Sequence, residues 1–200
     1  MGSDEVDQSN EEDVAWMSLI GASDSTSENA FEKLVTKHQH AVIGTIGKMT
    51  NFSADTEDLA QQVFLRIWKA APKYQPTAKF TTFLFTITRN LVFNYTKKKG
   101  RSHEHSLEEQ EDEWHQQLSD PTASSQPDER LEQNELRSAI DSAIQSLPEK
   151  QRLAVILRRY EKMPYEDIAT TLDLSVSAVK SQLFRARTVL REQLEKYLED

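Results

Sequence analysis

Residues 164–190 read PYEDIATTLDLSVSAVKSQLFRARTVL. Pro164 suits a helix start, a short helix runs to Leu172, and Asp173, Leu174 and Ser175 separate it from a longer helix. Ser175 is a good N-cap for that second helix, on which Val179, Leu183, Ala186 and Leu190 recur at helical spacing and face inward. Short helix, tight turn and longer helix together make a helix-turn-helix. The second helix leaves Ser177, Ala178, Lys180, Ser181, Phe184 and Arg185 on its free face. Small residues allow close approach to a major groove, Lys180 and Arg185 reach guanine edges or phosphates, and Phe184 suits a thymine methyl. A plain helical hairpin with solvated basic residues has the same spacing, so the rest of the chain must decide between the two.

Helical periodicity extends upstream through QRLAVILRRYEKM and LEQNELRSAIDSAIQSL, which meet at LPEK, where Pro148 fits a first helical turn. Far upstream, DTEDLAQQVFLRIW (residues 55–68) sets Leu59, Val63 and Ile67 at i, i+4, i+8, with Phe64 completing the apolar stripe of an amphipathic helix. Ser53 or Asp55 can cap it, and Asp55, Glu57 and Asp58 suit the positive end of its dipole. AFEKLVTKHQHAVIGTIGKM adds a helix with Phe31, Leu34, Val35, Val42 and Ile46 as core positions. APKYQPTAK has two prolines and no apolar period, so it is a loop. Residues 80–95, FTTFLFTITRNLVFNY, are long enough to favour a buried helix in spite of their β-branched residues. Residues 102–127, SHEHSLEEQEDEWHQQLSDPTASSQP, hold Leu107, Trp114 and Leu118 as their only large apolar groups and are expected to form a mobile linker.

The sequence thus predicts an all-α chain of two small helical domains joined by a flexible acidic linker. An acidic N-terminal tail covers 1–11, the first domain 12–101, the linker 102–134, and the second domain, with the helix-turn-helix, 135–200. Five glycines, six prolines and no cysteine argue against a turn-rich β-sandwich, a disulfide framework or a thiolate metal cluster. An acidic start and the lack of a long apolar run predict a cytoplasmic chain with no membrane insertion.

A net charge of −9 over 200 residues looks wrong for a DNA-binding protein until it is divided along the chain. Residues 1–30 carry −8 and residues 102–135 carry −10, whereas residues 31–101 carry +8 and residues 136–200 carry +1. One module is clearly basic, as phosphate contact requires. An enzyme reading finds no Gly-rich phosphate loop, no HExxH and no cysteine nucleophile. The His38/His40 and His103/His105 pairs lack further ligands at convincing spacing, so they are expected to be surface or linker histidines and no metal or cofactor is expected.

The two halves together resemble the extracytoplasmic-function (ECF) group of the sigma-70 family of RNA polymerase sigma factors. AIQSLPEKQRLAVILRRYEKMPYEDIATTLDLSVSAVKSQLFRAR looks like sigma region 4, which binds the minus-thirty-five promoter element. TEDLAQQVFLRIWKAAPKY followed by FTTFLFTITRNLVFNYTKKKGR looks like region 2, which binds polymerase and recognises and melts the minus-ten element. The resemblance implies a polymerase-docking surface around Asp58, Gln61, Gln62, Phe64, Arg66 and Trp68. It also implies a loop, Tyr74–Lys79, that captures an extruded minus-ten base with the start of the next helix. Tyr74, Thr77, Lys79 and Phe80 are suitable groups for stacking and edge hydrogen bonds. Arg89, Asn90, Asn94, Lys97 and Lys98 would hold the duplex and displaced strand, with Lys99 and Arg101 completing the basic end. Ser175, Ser177, Ala178, Lys180, Ser181, Phe184 and Arg185 would read the upstream element. Gln62, Phe83 and Ala178 depart from the family pattern, which more often has an acid, tryptophan and threonine there. The implied partners are core RNA polymerase, promoter DNA and an anti-sigma factor, for a stress-responsive protein that is monomeric when free. The rival reading is a stand-alone helix-turn-helix regulator, which would normally dimerise on paired half-sites.

Overall fold

A computed structural model of the chain describes residues 3–22, 25–103 and 127–197, and every regular element among them is helical. In order these are α1 (Ser3–Ala22), α2 (Ser27–Thr50), α3 (Thr56–Ala70), a short 3-10 turn (Ala71–Lys73), α4 (Phe80–His103), α5 (Pro127–Ser146), α6 (Glu149–Arg159), α7 (Tyr165–Leu172), α8 (Val176–Gln193) and a last 3-10 turn (Glu195–Tyr197). The all-α expectation holds. The helix-turn-helix is α7 and α8, with Asp173 in the left-handed conformation at φ 55° closing α7. Ser175 caps α8 as expected, its Oγ accepting from the Ala178 amide at 3.2 Å. On α8, Val179 and Ala186 are fully buried, and Leu183 and Leu190 pack against the same core.

The expected stripe of α3 also points inward: Leu59, Val63 and Ile67 are at most 5% exposed. Its cap differs from expectation. Asp55 occupies the N-cap position but makes no side-chain cap bond; its carboxylate instead accepts from the Tyr95 hydroxyl of α4 at 2.7 Å, while Thr56 donates to the Ser53 carbonyl. The aspartate therefore ties two helices together. On α2, Leu34, Val42 and Ile46 are fully buried, and Phe31 and Val35 pack at the edge of the core. Gly47 has a packing role, because a Cβ there would lie 2.6 Å from the Phe52 ring, which folds back over the end of α2.

Helix α1 departs from the expected tail. It runs from Ser3, through most of the segment set apart on charge, and its Met17 and Ile20 belong to the core. Between α4 and α5, residues 104–126 of the expected linker lie outside the described residues, and α5 opens at Pro127, inside the far end of that segment.

The two halves meet. Helix α2 touches α5 and α6, α4 touches α7, and a single apolar cluster runs from Met17 to Val179. At the junction the C-terminal carbonyls of α2 are satisfied from the other half: Gln145 Nε2 donates to Lys48 O at 2.6 Å and Arg152 Nη1 to Met49 O at 3.0 Å. Arg152 Nη2 also donates to Leu147 O at 3.1 Å and to Gln145 O, so one guanidinium caps both α2 and the end of α5. Thr96 bonds Glu149, Lys48 pairs with Asp141 at 3.6 Å, and Lys79 pairs with Asp167 at 3.3 Å.

Candidate nucleic-acid interface

The recognition helix α8 is held by Val179 and Ala186 at its buried side, which fixes the rotation of everything else on it. Ser175, Ser177, Lys180, Ser181 and Arg185 are exposed and Ala178 is half-buried. Phe184 is 73% exposed, an unusual position for an aromatic ring that could have been folded into the core. The structure thus brings the seven upstream-element candidates to the first three turns of one helix. Arg158, Arg159 and Lys162 from the end of α6, with Arg187 and Arg191 from α8, line a groove beside this face, over Val155 and Leu190. Sequence reasoning did not assign these five cations; their signal was present, in an RR pair and in bases recurring at i, i+4 on α8, but it names no target by itself.

A second polar face lies on α4. Asn90, Asn94, Lys97 and Lys98 are exposed at i, i+4, i+7 and i+8, which places them on one side of the helix. Arg89 is half-buried, and its Nε and Nη2 donate to the Asn90 amide oxygen at 3.1 and 2.7 Å. The loop that precedes α4 divides in two. Thr77 is exposed and Lys79 is half-buried by its ion pair with Asp167. Tyr74 and Phe80, by contrast, turn inward. Phe80 is fully buried, its ring centroid 5.2 Å from His38 and 6.4 Å from both Tyr74 and Phe83. Tyr74 is half-buried against Phe83 at 5.1 Å, and burial, followed by the charge of Asp13, pushes its hydroxyl pKa up. Phe80 offers no free stacking face, because it is committed to the aromatic cluster with His38, Tyr74 and Phe83. That corrects the expectation for Phe80 in particular.

On α3, Asp58, Gln61, Gln62 and Arg66 form an exposed polar face. Phe64 does not join it, being 7% exposed and part of the core, and Trp68 is half-buried edge-on to Phe31 at 5.0 Å. Leu65 was missed. It stands 55% exposed among the polar candidates, and its signal was an apolar residue off the Leu59–Val63–Ile67 stripe. His38 differs in the other direction. It is 8% exposed and bonds the buried Asp13 carboxylate at 3.0 Å, a core histidine and not a surface one. His40 is exposed as expected, His103 ends α4, and His105 lies outside the described residues. Among the described residues no cluster of three or more His, Asp and Glu side chains is arranged to hold a metal, and no helix is long and apolar enough to cross a membrane.

Two family models match the chain, sigma-70 region 2 over residues 34–102 and sigma-70 region 4 over residues 137–190, so that the α4 face falls in one and the helix-turn-helix in the other. The RNA polymerase sigma-H factor of Pseudomonas aeruginosa is 31% identical over 177 residues, 86% of this chain and 90% of that one. The ECF RNA polymerase sigma-E factor of Escherichia coli K12 is 30% identical over 172 residues, 84% of this chain and 88% of that one. Solved structures share the fold: CnrH in complex with the cytosolic domain of CnrY (TM-score 0.66, 22% identity, 92% and 98% coverage), and RpoE with the anti-sigma factor NepR from Bartonella quintana (TM-score 0.65, 23% identity, 82% and 96% coverage). The chain belongs to the sigma-70 family of RNA polymerase sigma factors, in its extracytoplasmic-function group.

Proposed function

We propose that this chain is an alternative sigma factor whose two halves read two promoter elements while core RNA polymerase holds them. Region 4, about 135–200, binds the minus-thirty-five element as duplex, and region 2, about 12–101, recognises and opens the minus-ten element. The observation that carries this is the pair of exposed faces, Ser177/Lys180/Ser181/Phe184/Arg185 on α8 and Asn90/Asn94/Lys97/Lys98 on α4. Hydroxyls, an aromatic ring and an arginine at the start of α8 suit base edges in a major groove; amides and lysines on α4 suit phosphates and separated strands. Thr77 and Lys79 are the loop groups placed to reach an extruded base, above the floor formed by Tyr74 and Phe80. Asp58, Gln61, Gln62, Leu65, Arg66 and Trp68 form the polymerase-docking face, with Leu65 and the open side of Trp68 as its apolar centre and Phe64 supporting it from below.

The role is one of recruitment and strand capture, not catalysis, and it places the protein with polymerase in the cytoplasm. Linking two modest contacts raises the effective concentration of the second once the first has formed, so a specific promoter complex needs neither half to bind tightly alone. An anti-sigma factor fits as a regulator, since two structural neighbours were solved with such a partner or with a second protein seated on them.

The test is run-off transcription with purified bacterial core polymerase on a genomic fragment library, with and without the protein, sequencing each 5′ end. New starts preceded by a shared two-part motif are expected. No new starts and no comigration with core polymerase on gel filtration would sink the proposal and leave a stand-alone helix-turn-helix regulator.

A further inference from the structure

We propose that α1 is a splint for the base-capture loop, with Asn10, Asp13 and Gly21 as positioning residues that set minus-ten base discrimination without touching DNA. The inference rests on the reading of residues 74–79 as that loop. Gln75, Pro76, Thr77 and Ala78 are exposed, so the loop has no core of its own and takes its shape from its two ends. Helix α1 holds both. At one end Gly21 lies against the 3-10 turn that leads into the loop: a Cβ at Gly21 would sit 2.8 Å from Ala71 O and 3.4 Å from Pro72 Cα, so only glycine allows this approach. At the other end the Asn10 amide oxygen accepts from the Phe80 backbone N–H at 2.8 Å. Phe80 opens α4, where first-turn amides have no partner within the helix. Asn10 supplies the cap from seventy residues away. The span from Asn10 to Gly21 is about 16 Å of helix, comparable with the reach of the loop it braces.

Between these anchors stands a buried relay. Asp13, 1% exposed, accepts from Lys37 Nζ at 2.8 Å and bonds His38 Nε2 at 3.0 Å. Lys37 also donates to Ser9 O at 2.8 Å, which holds the α1–α2 register. The His38 ring rests on Phe80, and Phe80 and Phe83 pack on Tyr74. The Tyr74 hydroxyl is enclosed with no hydrogen-bond partner, so ring packing alone orients its side chain, while its backbone N–H donates to Ala71 O at 3.1 Å. Burying Asp13 is costly, and replacing a whole buried ionic cluster by apolar residues is often neutral or stabilising. What the carboxylate adds is direction: one rotamer of His38, and through it one position of Phe80.

The test uses the full chain reconstituted with core polymerase. Open-complex formation is measured on a cognate promoter and on single-base variants at every minus-ten position, with 2-aminopurine at the extruded position reporting base capture. Asn10→Ala is expected to lower discrimination at that one position about 3- to 10-fold, the range set by one lost hydrogen bond, and Gly21→Ala to lower it at the same position by pushing the 3-10 turn away from α1. Affinity for core polymerase and dependence on the upstream element should be unchanged, and Asn10→Asp, which keeps the acceptor, should restore discrimination. Wild-type discrimination in both variants overturns the splint, as does an equal loss at all positions together with weaker core binding. Thr77→Ala and Lys79→Ala separate the two claims. If they alter base capture while Asn10→Ala and Gly21→Ala do not, the splint alone fails. If they too change nothing, the loop reading fails and the splint with it.

Discussion

At the scale of single residues, the groups that join the halves carry the sharpest energetic predictions. Arg152 is half-buried, desolvation lowers its pKa, and its Nη atoms serve carbonyls on α2 and α5. Hydrogen bonds from a charged donor are worth about 1.5–3 kcal/mol each when removal leaves the acceptor buried. Arg152→Met keeps much of the volume and removes the donors, so unfolding in urea should show a loss of about 2–3 kcal/mol, larger than surface substitutions give. Glu161, just past α6, is a different case: burial raises its carboxyl to about 7, with the neighbouring Thr45 hydroxyl acting in the opposite sense. A raised folded-state pKa means stability that is complete below the ordinary value near 4.5 and is lost as pH rises through about 7. Glu161 keeps part of its surface in water, so the change is on the order of 1–2 kcal/mol. Melting temperature should fall between those pH values in the wild type, and Glu161→Gln should flatten that part of the profile; an unchanged slope would count against the assignment.

At the scale of elements, α8 and α4 make separable predictions. Lys180→Ala or Arg185→Ala should cost about 1–3 kcal/mol in promoter binding and relax preference at particular upstream positions, read by transcription from upstream-element variants. Lys97→Ala and Lys98→Ala should weaken binding across sequences and each reduce the salt slope of binding by about 1. If all four leave promoter-specific transcription intact, the site assignments fail although the family membership stands. Helices α8 and α3 were legible in the sequence because a helix needs only local information: Val179 and Ala186 announce the rotation of α8, and Leu59, Val63 and Ile67 that of α3. What was illegible depends on long-range partners. Asp55 looked like a cap, yet Tyr95, forty residues on, captures its carboxylate. Phe80 looked like a stacking platform, yet His38 and Tyr74 draw it under the loop. Asn10 sat in a segment read only for its negative charge, and no local pattern marks an asparagine whose partner is seventy residues away.

At the scale of the molecule, the fold sets α7 of region 4 against α4, beside the face proposed to meet minus-ten DNA. Lys79, a proposed base-capture residue, is paired with Asp167 of the helix-turn-helix. Partly exposed pairs of this kind are worth about 0.2–1 kcal/mol. Asp167→Asn should therefore raise the affinity of the free chain for single-stranded minus-ten DNA only about 1.5- to 5-fold, measured by fluorescence anisotropy at low salt, and leave the polymerase-bound protein unaffected. An increase far beyond that range would mean that Asp167 does more than hold one lysine. Periodicity and charge divide the chain into two halves, but contact between those halves was not legible, since it depends on where two helices end. At the end of α2 the side chains of Gln145 and Arg152 address main-chain oxygens, Lys48 O and Met49 O, and ignore the side chains that α2 carries there. Those two contacts place few demands on amino-acid identity at the end of α2, whereas Lys48, Thr96 and Lys79 meet Asp141, Glu149 and Asp167 through their side chains. Region 2 should therefore be exchangeable as a cassette between relatives that keep those three side-chain partners: the end of α2 itself asks only for a helix of the right length stopping at the right place, with a glutamine and an arginine to meet it.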